Sequence, residues 1–247
     1  MSATDDLRHG PVHTDVGVLD KCVAVLFAVR AGVPNVAEVA NHTGIARPTV
    51  HRLAAALEQH GLLGRVGDSD LALGPSVRLL AAATAGETMV AAAGPFLAEL
   101  RDRTGETAQL YRRVGEVRVC VGVADGVAAL RDSVMVGDAL PMTAGSSAQV
   151  LLAWADPPDR RLVARAKFSS DDLAAVRRRG WAQSAGQREQ GLASVSAPVW
   201  HHETLLGSLC AAGPVARLGS RPARRLGPAV SEIARDLGER VAAVIGS

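Results

Sequence analysis

Cysteine thiols and paired histidines are the side chains of this sequence that could carry covalent or metal chemistry. Cys22, Cys120 and Cys210 are widely spaced and form no CxxC pair, so we expect reduced, mostly buried thiols and no zinc site. The run His201–Glu203 lacks HExxH spacing, and a solvated turn is the better interpretation. No GxSxG elbow is present for a nucleophilic serine. The sequence therefore predicts no catalytic residue, no metal site and no cofactor, with a hydrolase-like enzyme as the alternative.

Two adjacent serines, Ser146 and Ser147, could bind an anion. They follow Gly145 directly before a helical run, so their hydroxyls and backbone N–H groups would lie at a helix N-terminus, which favours a carboxylate or phosphate. An ordinary N-cap without a ligand is the alternative, because capping serines are common. Taken alone, the pair favours the cap.

A basic cluster could bind DNA. Four of its side chains lie at the exposed start of a predicted helix, where they would face base edges and phosphates of the major groove. A further basic residue lies on the hairpin that follows, where an arginine commonly contacts phosphate or the minor groove. The predicted DNA-binding residues are Arg47, Pro48, Thr49, His51, Arg52 and Arg65.

Three helices must position this cluster. Gly17 to Ala31 has apolar residues at helical spacing and predicts a scaffold helix. Asn35 can cap the next helix and Glu38 can return the bond as in a capping box, while Gly44 suits the turn that ends it. Pro48 then opens a third helix. The spacing from Val36 to His60 therefore predicts a helix-turn-helix unit.

A hairpin should follow the third helix. Leu62 to Val66 and Asp70 to Leu73 are short strand-like runs around Gly67-Asp68-Ser69, a composition that permits a tight turn. This hairpin would be the wing of a winged helix-turn-helix. Val77 to Ala85, between Gly74 and Gly86, is rich in alanine and leucine and predicts a linker helix. Its apolar character suggests packing against the same helix of a second copy.

The second half mixes strands and helices. A helix from Thr88 to Arg103 precedes a hairpin joined at Gly115 and a further strand, and a last helix closes the chain. This order predicts an antiparallel sheet covered by helices, an α+β domain. The predicted strands are Thr107–Val114, Glu116–Ala124, Val127–Val134, Trp181–Ala185, Leu192–Val199 and Leu205–Ala212, and the predicted helices are Ser146–Trp154, Pro157–Ala166, Ser169–Arg179 and Arg221–Ile245.

Length and charge limit the function classes. With 247 residues, 48% hydrophobic residues and a net charge of +2, the chain is long enough for two domains and is ordinary for a soluble protein. No membrane span and no signal peptide are expected, which favours the cytoplasm. Residues 1–78 hold seven Lys/Arg against eight Asp/Glu, which argues against an architectural DNA-compacting protein. We predict a disordered N-terminus (1–15), a DNA-binding domain (16–75), a linker helix (76–87) and an effector-binding and oligomerisation domain (88–247).

The sequence resembles the IclR-type transcriptional regulators along nearly its whole length. The matching stretches are Gly17–Lys21, Ala46–Leu53, Leu57–Leu62, Leu73–Pro75, Leu140–Ser147 and Gly191–Pro198. Within the family, Gln109–Arg113, Gly145–Gln149 and Arg177–Ser184 are most similar to the actinobacterial branch that regulates amino-acid biosynthesis, leucine in particular. The resemblance implies a ligand-responsive regulator that binds palindromic operator DNA as a dimer or a dimer of dimers.

The resemblance also implies a GAF-like second domain with an effector pocket. Carried over residue by residue, the pocket consists of Leu130, Ser146, Ser147, Ser184, Leu192, Ser194, Cys210 and Ala212. Family members that bind small oxo-acids have an acidic residue where this chain has Ser184, and polar residues where it has Cys210 and Ala212. We therefore expect a less polar pocket, and an amino acid or a more apolar keto acid as the effector.

Overall fold

The computed structural model describes residues 14–67, 69–127, 132–155 and 158–246. The chain forms two compact units, Met1–Ala83 and Thr84–Ser247. Residues 1–13 of the segment predicted to be disordered lie outside the described residues. Thr14 donates from its backbone N and from Oγ to the carboxylate of Asp20, at 2.8 and 2.7 Å.

The first unit has three helices and a two-stranded hairpin, as the sequence predicted. Its elements are α1 (Gly17–Arg30), α2 (Val36–Thr43), α3 (Arg47–Gln59), β1 (Leu63–Val66) and β2 (Asp70–Leu73). The strands pair antiparallel, from Leu63 opposite Leu73 to Val66 opposite Asp70. Asp68, in the predicted turn of this wing, lies outside the described residues.

Asn35 and Gly44 set the two ends of α2. Asn35 Oδ1 accepts from the backbone N of Ala37 and of Glu38, at 3.1 Å each, which confirms the predicted cap. The Glu38 carboxylate accepts from Asn35 Nδ2 at 3.0 Å, so the reciprocal bond differs from the expected capping box, in which it would accept from the Asn35 backbone. Gly44 has φ +69°, the left-handed conformation that ends a helix.

The apolar stripe of α3 forms the centre of this unit. Val50, Ala54 and Leu57 are buried together with Val25 of α1 and Val39 of α2. Burying this stripe fixes which side of α3 faces solvent, because residues between the apolar positions lie on the opposite side of the helix.

The helix α4 runs without a break from Pro75 to Thr104. The sequence predicted a linker helix and a second helix that separate near Gly86, and this prediction was wrong. Gly86 is buried, and a Cβ added there would lie 2.6 Å from Arg112 Nη2. Glycine at this position therefore permits the close approach of an arginine and does not end the helix.

Among the described residues, α4 is the one helix long and apolar enough to cross a membrane by length and composition. The sequence had predicted no span. Helices in the cores of soluble proteins have the same property, so the finding is weak evidence for a membrane. Met89 and Leu100 of α4 are fully buried in the second unit.

The second unit is built on an antiparallel sheet with the strand order β5-β4-β3-β8-β7-β6. The strands are β3 (Thr107–Val114), β4 (Val117–Ala124), β5 (Ala139–Pro141), β6 (Ala182–Ala185), β7 (Leu192–His201) and β8 (Thr204–Pro214). This sheet confirms the predicted α+β class, and the β3–β4 hairpin turns at Gly115 as expected.

The strand predicted over Val127–Val134 is absent from the described part of that segment. Residues 128–131 lie outside the described residues, and the chain from Asp132 to Asp138 forms a turn instead. The carboxylate of Asp138 accepts from the backbone N of Met135 at 2.8 Å, and its carbonyl accepts from the backbone N of Cys120 at 2.9 Å. The added strand beside β4 is β5, which the sequence did not predict.

Helices cover both faces of the sheet. They are α5 (Ser146–Ala153), α6 (Arg160–Ala164), α7 (Ser170–Arg179), α8 (Val215–Leu218) and α9 (Ala223–Gly246). The end of α4 and α9 bury one face, while α5, α6 and α7 bury the other. α6 is shorter than the predicted helix over Pro157–Ala166, because Asp159 accepts from the backbone N of Leu162 and begins the helix there. α8 was not predicted.

One edge of the sheet is only partly covered. β6 pairs with β7 from Ala193 to Ser196, so among the described residues Ala197 to His201 of β7 pair on one side only, with β8. Pro198 lies opposite Ser208 in this stretch, which β6 does not reach but which is buried from Ala197 to Val199. Proline has no N–H for a ladder bond and is tolerated where its nitrogen faces an open edge.

Candidate functional site

The start of α3 is exposed and basic. Arg47, His51 and Arg52 are exposed and Thr49 is half-buried, as predicted from the apolar stripe. No acidic residue lies in the first turn of α3, so the partial positive charge of the helix start adds to the arginines. This end of α3 can therefore bind an anion such as a DNA phosphate, or reach a base edge.

Lys21 of α1 adds a cation that the sequence analysis missed. It lines a surface groove between α1 and α3 together with Thr49 and Arg52. Helical spacing could have found it, because Lys21 follows Val18 by one turn on the exposed side of α1.

Arg65 lies on the wing, as predicted, but it has a partner within its own unit. Its Nη2 lies 2.9 Å from Glu58 Oε1 of α3, and its side chain is 40% exposed. This ion pair connects the wing to α3. A phosphate would have to compete with Glu58 for the guanidinium.

A small cavity in the second unit gathers the predicted effector residues. It lies at the N-terminus of α5 and has about 310 Å³ of empty space when the open solvent at its mouth is included, of which about 20 Å³ is open to the centre of a water-sized sphere. The predicted residues that line it are Ser146, Ser147, Ser184, Leu192, Ser194, Cys210 and Ala212. Leu130 lies outside the described residues.

A chain of serine hydroxyls forms one wall of the cavity. Ser184 Oγ lies 3.0 Å from Ser194 Oγ, which lies 2.7 Å from Ser146 Oγ. Ser196 Oγ lies 2.7 Å from Ser146 Oγ and 2.8 Å from Ser147 Oγ. Ser196 is fully buried and was missed, although it follows Ser194 by two residues on one face of β7. These five hydroxyls share four contacts, and each contact uses one proton, so at least one hydroxyl proton remains for a bond outside the serine chain.

The sequence analysis also missed the most polar residues of the cavity. They are Gln109, Tyr111, Arg118, Asp132 and Arg188. The prediction of a pocket less polar than that of oxo-acid-binding family members considered only positions carried over from the family, and it did not include these five polar or charged residues. Arg118 is 3% exposed and lies on the inner face of β4, the same face as Cys120 two residues later. A charged residue on the inward side of a strand was the available signal.

The charges of the cavity are unevenly paired. Arg188 Nη2 lies 2.6 Å from Asp132 Oδ1, and the Asp132 side chain is 4% exposed. Arg118 donates from Nη1 to the carbonyl of Pro141, and its guanidinium carbon lies 5.4 Å from the centre of the Tyr111 ring. Burial lowers the pKa of Arg118, since a low-dielectric site disfavours the charged form.

Burial also keeps the neighbouring acids protonated. It raises the pKa of the Tyr111 hydroxyl and of the Cys210 thiol, and it raises the pKa of the Cys120 thiol to about 11. At neutral pH these groups are neutral, so they do not balance the charge of Arg118.

The predicted turn contains His202 and Glu203, whereas His201 still belongs to the strand before it. His201 ends β7, and His202, which has φ +50°, continues into the turn before β8. The pKa of His201 is lowered, mainly by burial and to a smaller extent by the neighbouring His202. Among the described residues, no group of three or more His, Cys, Asp or Glu side chains could hold a metal ion.

Both halves of the chain match known sequence families. The profile described as IclR helix-turn-helix domain matches residues 18–67. The profile described as bacterial transcriptional regulator IclR C-terminal matches residues 81–239.

Individual proteins match along most of their length. The HTH-type transcriptional regulator BhcR of Paracoccus denitrificans is 27% identical, over 90% of this chain and 86% of its own. The HTH-type transcriptional regulator Rv1719 of Mycobacterium tuberculosis is 29% identical, over 88% and 82%. A crystal structure assigned as an ICLR transcriptional regulator, from Silicibacter sp. TM1040, is 26% identical with a TM-score of 0.58, over 92% of this chain and 96% of its own.

Proposed function

The chain belongs to the IclR family of bacterial transcriptional regulators, and from this premise we propose that it is a ligand-responsive regulator that binds palindromic operator DNA as a dimer. The start of α3 in each copy enters the major groove, and an amino acid or keto acid in the cavity changes the affinity for the operator. Similar proteins are regulators and repressors, which favours this function over a hydrolase-like enzyme.

The observation that carries the proposal is the cavity. Three strands, β6, β7 and β8, and the start of α5 bring the predicted residues into contact with one space. These residues are spread over nearly 70 positions of the sequence, from Ser146 to Ala212. Pockets that bind small molecules combine a concave shape with a few convergent polar groups.

The charge of the DNA-binding unit supports the proposed dimer. Residues 1–78 carry seven Lys/Arg and eight Asp/Glu, and DNA affinity grows with the number of phosphates neutralised. One copy offers few basic contacts, so two copies on a palindrome are needed for tight binding. A pair of dimers would extend the same arrangement.

The proposed target is amino-acid biosynthesis, leucine in particular. This assignment rests on the branch resemblance of Gln109–Arg113, Gly145–Gln149 and Arg177–Ser184. We place the protein in the cytoplasm, where the operator and such effectors are found, and we assign the second domain a GAF-like fold.

Operator binding tests the proposal. We expect a palindromic operator to bind at least about 10³-fold more tightly than bulk DNA at physiological salt. Arg52→Ala should weaken operator binding more than about tenfold, because a good base contact contributes roughly 1–3 kcal/mol. Arg178→Ala removes the same charge from an exposed site on α7 and is the matched control.

Two results would contradict the proposal. A neutral Arg52→Ala would reject α3 as the reading helix in this orientation. Operator affinity that does not respond to branched-chain amino acids or to their keto acids, with no heat of binding by calorimetry, would reject the effector.

A further inference from the structure

Two buried donors in the cavity have no acceptor. Among the described residues, no acceptor lies within hydrogen-bonding distance of Arg118 Nε or of Gln109 Nε2, and both atoms are fully buried. Both side chains line the cavity. Leaving a buried donor unpaired is costly, and more so when it is charged. A bound molecule that presents acceptor oxygens would remove both penalties.

Tyr111 fixes the direction of the Gln109 amide. Tyr111 Oη lies 2.9 Å from Gln109 Oε1 and donates to it. The phenol remains protonated at neutral pH, because burial raises its pKa. The amide oxygen is therefore occupied, and Gln109 presents its NH₂ group to the cavity.

The charges of the lining residues favour a ligand with one negative charge. Two carboxylates pair with the second arginine, Arg188: the buried Asp132 at 2.6 Å and the exposed Glu189 at 3.0 Å. Among the described residues, Arg118 has no carboxylate within 4.0 Å, and its Nη1 donates to a backbone carbonyl, that of Pro141. The unbalanced charge is therefore that of a single guanidinium, beside Gly145 at the N-terminus of α5, where an added Cβ would lie 3.1 Å from Arg118 Nη2.

Resting on the proposed function, we propose that Arg118 and Gln109 are the specificity-determining residues of the cavity, and that they select a 2-oxo monocarboxylate over the corresponding amino acid. The carboxylate accepts from Arg118, and the 2-oxo oxygen accepts from Gln109. An amino acid would place an ammonium group, which can only donate, against the NH₂ of Gln109 and the charge of Arg118. A dicarboxylate would bring a second negative charge for which no free cation remains among the described lining residues.

Calorimetry with four probes tests this selection. We expect 4-methyl-2-oxopentanoate to bind at least about tenfold more tightly than leucine, 4-methylpentanoate or 2-oxoglutarate. Gln109→Met removes one donor and should reduce the preference for the oxo acid over 4-methylpentanoate. Arg118→Met should weaken both monocarboxylates about 10- to 100-fold. Arg160→Met, which changes an exposed arginine on α6, should leave every affinity unchanged.

Thermal unfolding without ligand shows whether the variants fold. Arg118→Met should unfold at the wild-type temperature or higher, because it removes a buried charge without a paired acid.

The outcomes separate this inference from the proposed function. If leucine binds more tightly than the oxo acid and alters operator affinity, the regulator stands and the selection by Arg118 and Gln109 is wrong. If the oxo acid binds but Gln109→Met keeps its full preference, Gln109 is not a specificity residue. If no probe binds while operator binding is intact, both the effector class and this inference are overturned.

Discussion

The hydroxyl of Ser196 hydrogen-bonds to two neighbouring hydroxyls, that of Ser146 at 2.7 Å and that of Ser147 at 2.8 Å. Both neighbours begin α5, so Ser196 attaches the start of this helix to the middle of β7. A hydroxyl has one proton and can donate only one bond. Each serine in the chain therefore depends on the orientation of the next, and removing the shared member affects both ends.

We expect Ser196→Ala to lower the free energy of unfolding by about 1–3 kcal/mol, because it leaves a buried hydroxyl of Ser147 without this partner. Urea denaturation measures the change. Ser208→Ala is the matched control, since Ser208 Oγ is buried and has no partner among the described residues. Ser208→Ala should be neutral or stabilising, and an equal loss in both variants would reject the role of the serine chain.

Part of the cavity could be predicted from the sequence and part could not. Ser146 and Ser147 were found because they precede a helix and match a motif. Gln109, Arg118 and Asp132 were missed because they come from two strands and a loop, and only the pairing of β3 with β4 and β8 brings the strand residues to the same space. Residue type alone does not show which strands are neighbours.

At the scale of elements, glycine has two different roles inside the helices of this fold. Gly86 of α4 lies beneath the end of a flexible arginine side chain. Gly238 of α9 lies against a backbone, and a Cβ added there would be 2.3 Å from the carbonyl oxygen of Trp200 in β7. The predicted break at Gly86 failed because helix-ending and close-packed glycines look the same in a sequence. The long helix predicted over Arg221–Ile245 succeeded because its apolar spacing is continuous.

Alanine at these two glycines should have different effects. Gly238→Ala forces α9 away from β7 and should destabilise the protein by about 1–3 kcal/mol. At Gly86 the arginine can move aside and alanine favours the helix, so Gly86→Ala should change stability by less than about 1 kcal/mol. Thermal or urea unfolding of the pair compares them directly. Equal destabilisation of the two variants would mean that the Arg112 side chain does not move aside for the added methyl group.

At the scale of the whole molecule, buried ionisable groups make stability depend on pH. Burial raises the pKa of the folded Cys120 thiol from 9.0 to about 11, and it raises the pKa of Cys210 as well. Between these two pH values an unfolded thiol loses its proton while the folded one keeps it. The unfolded state is therefore favoured as pH rises through this window, and the contribution is fully present below pH 9.

We expect the urea midpoint to fall as pH rises from about 8 to about 10.5. Cys120→Val removes the ionising group and keeps a similar volume, so its midpoint should fall less over the same range. The difference between the two slopes isolates Cys120 from other groups that titrate in alkali. Parallel slopes would show that this thiol does not contribute.

The stretch of β7 that β6 does not reach, Ala197 to His201, has a consequence for solubility. Its outer edge would accept a strand from another molecule wherever consecutive N–H and C=O groups are free. Pro198 removes the donor in the middle of that stretch, so an incoming strand cannot complete its ladder there. Ala197, Pro198 and Val199 are also buried, so this part of β7 is screened from other molecules, and the strands left at the edges of the sheet are β5 and β6.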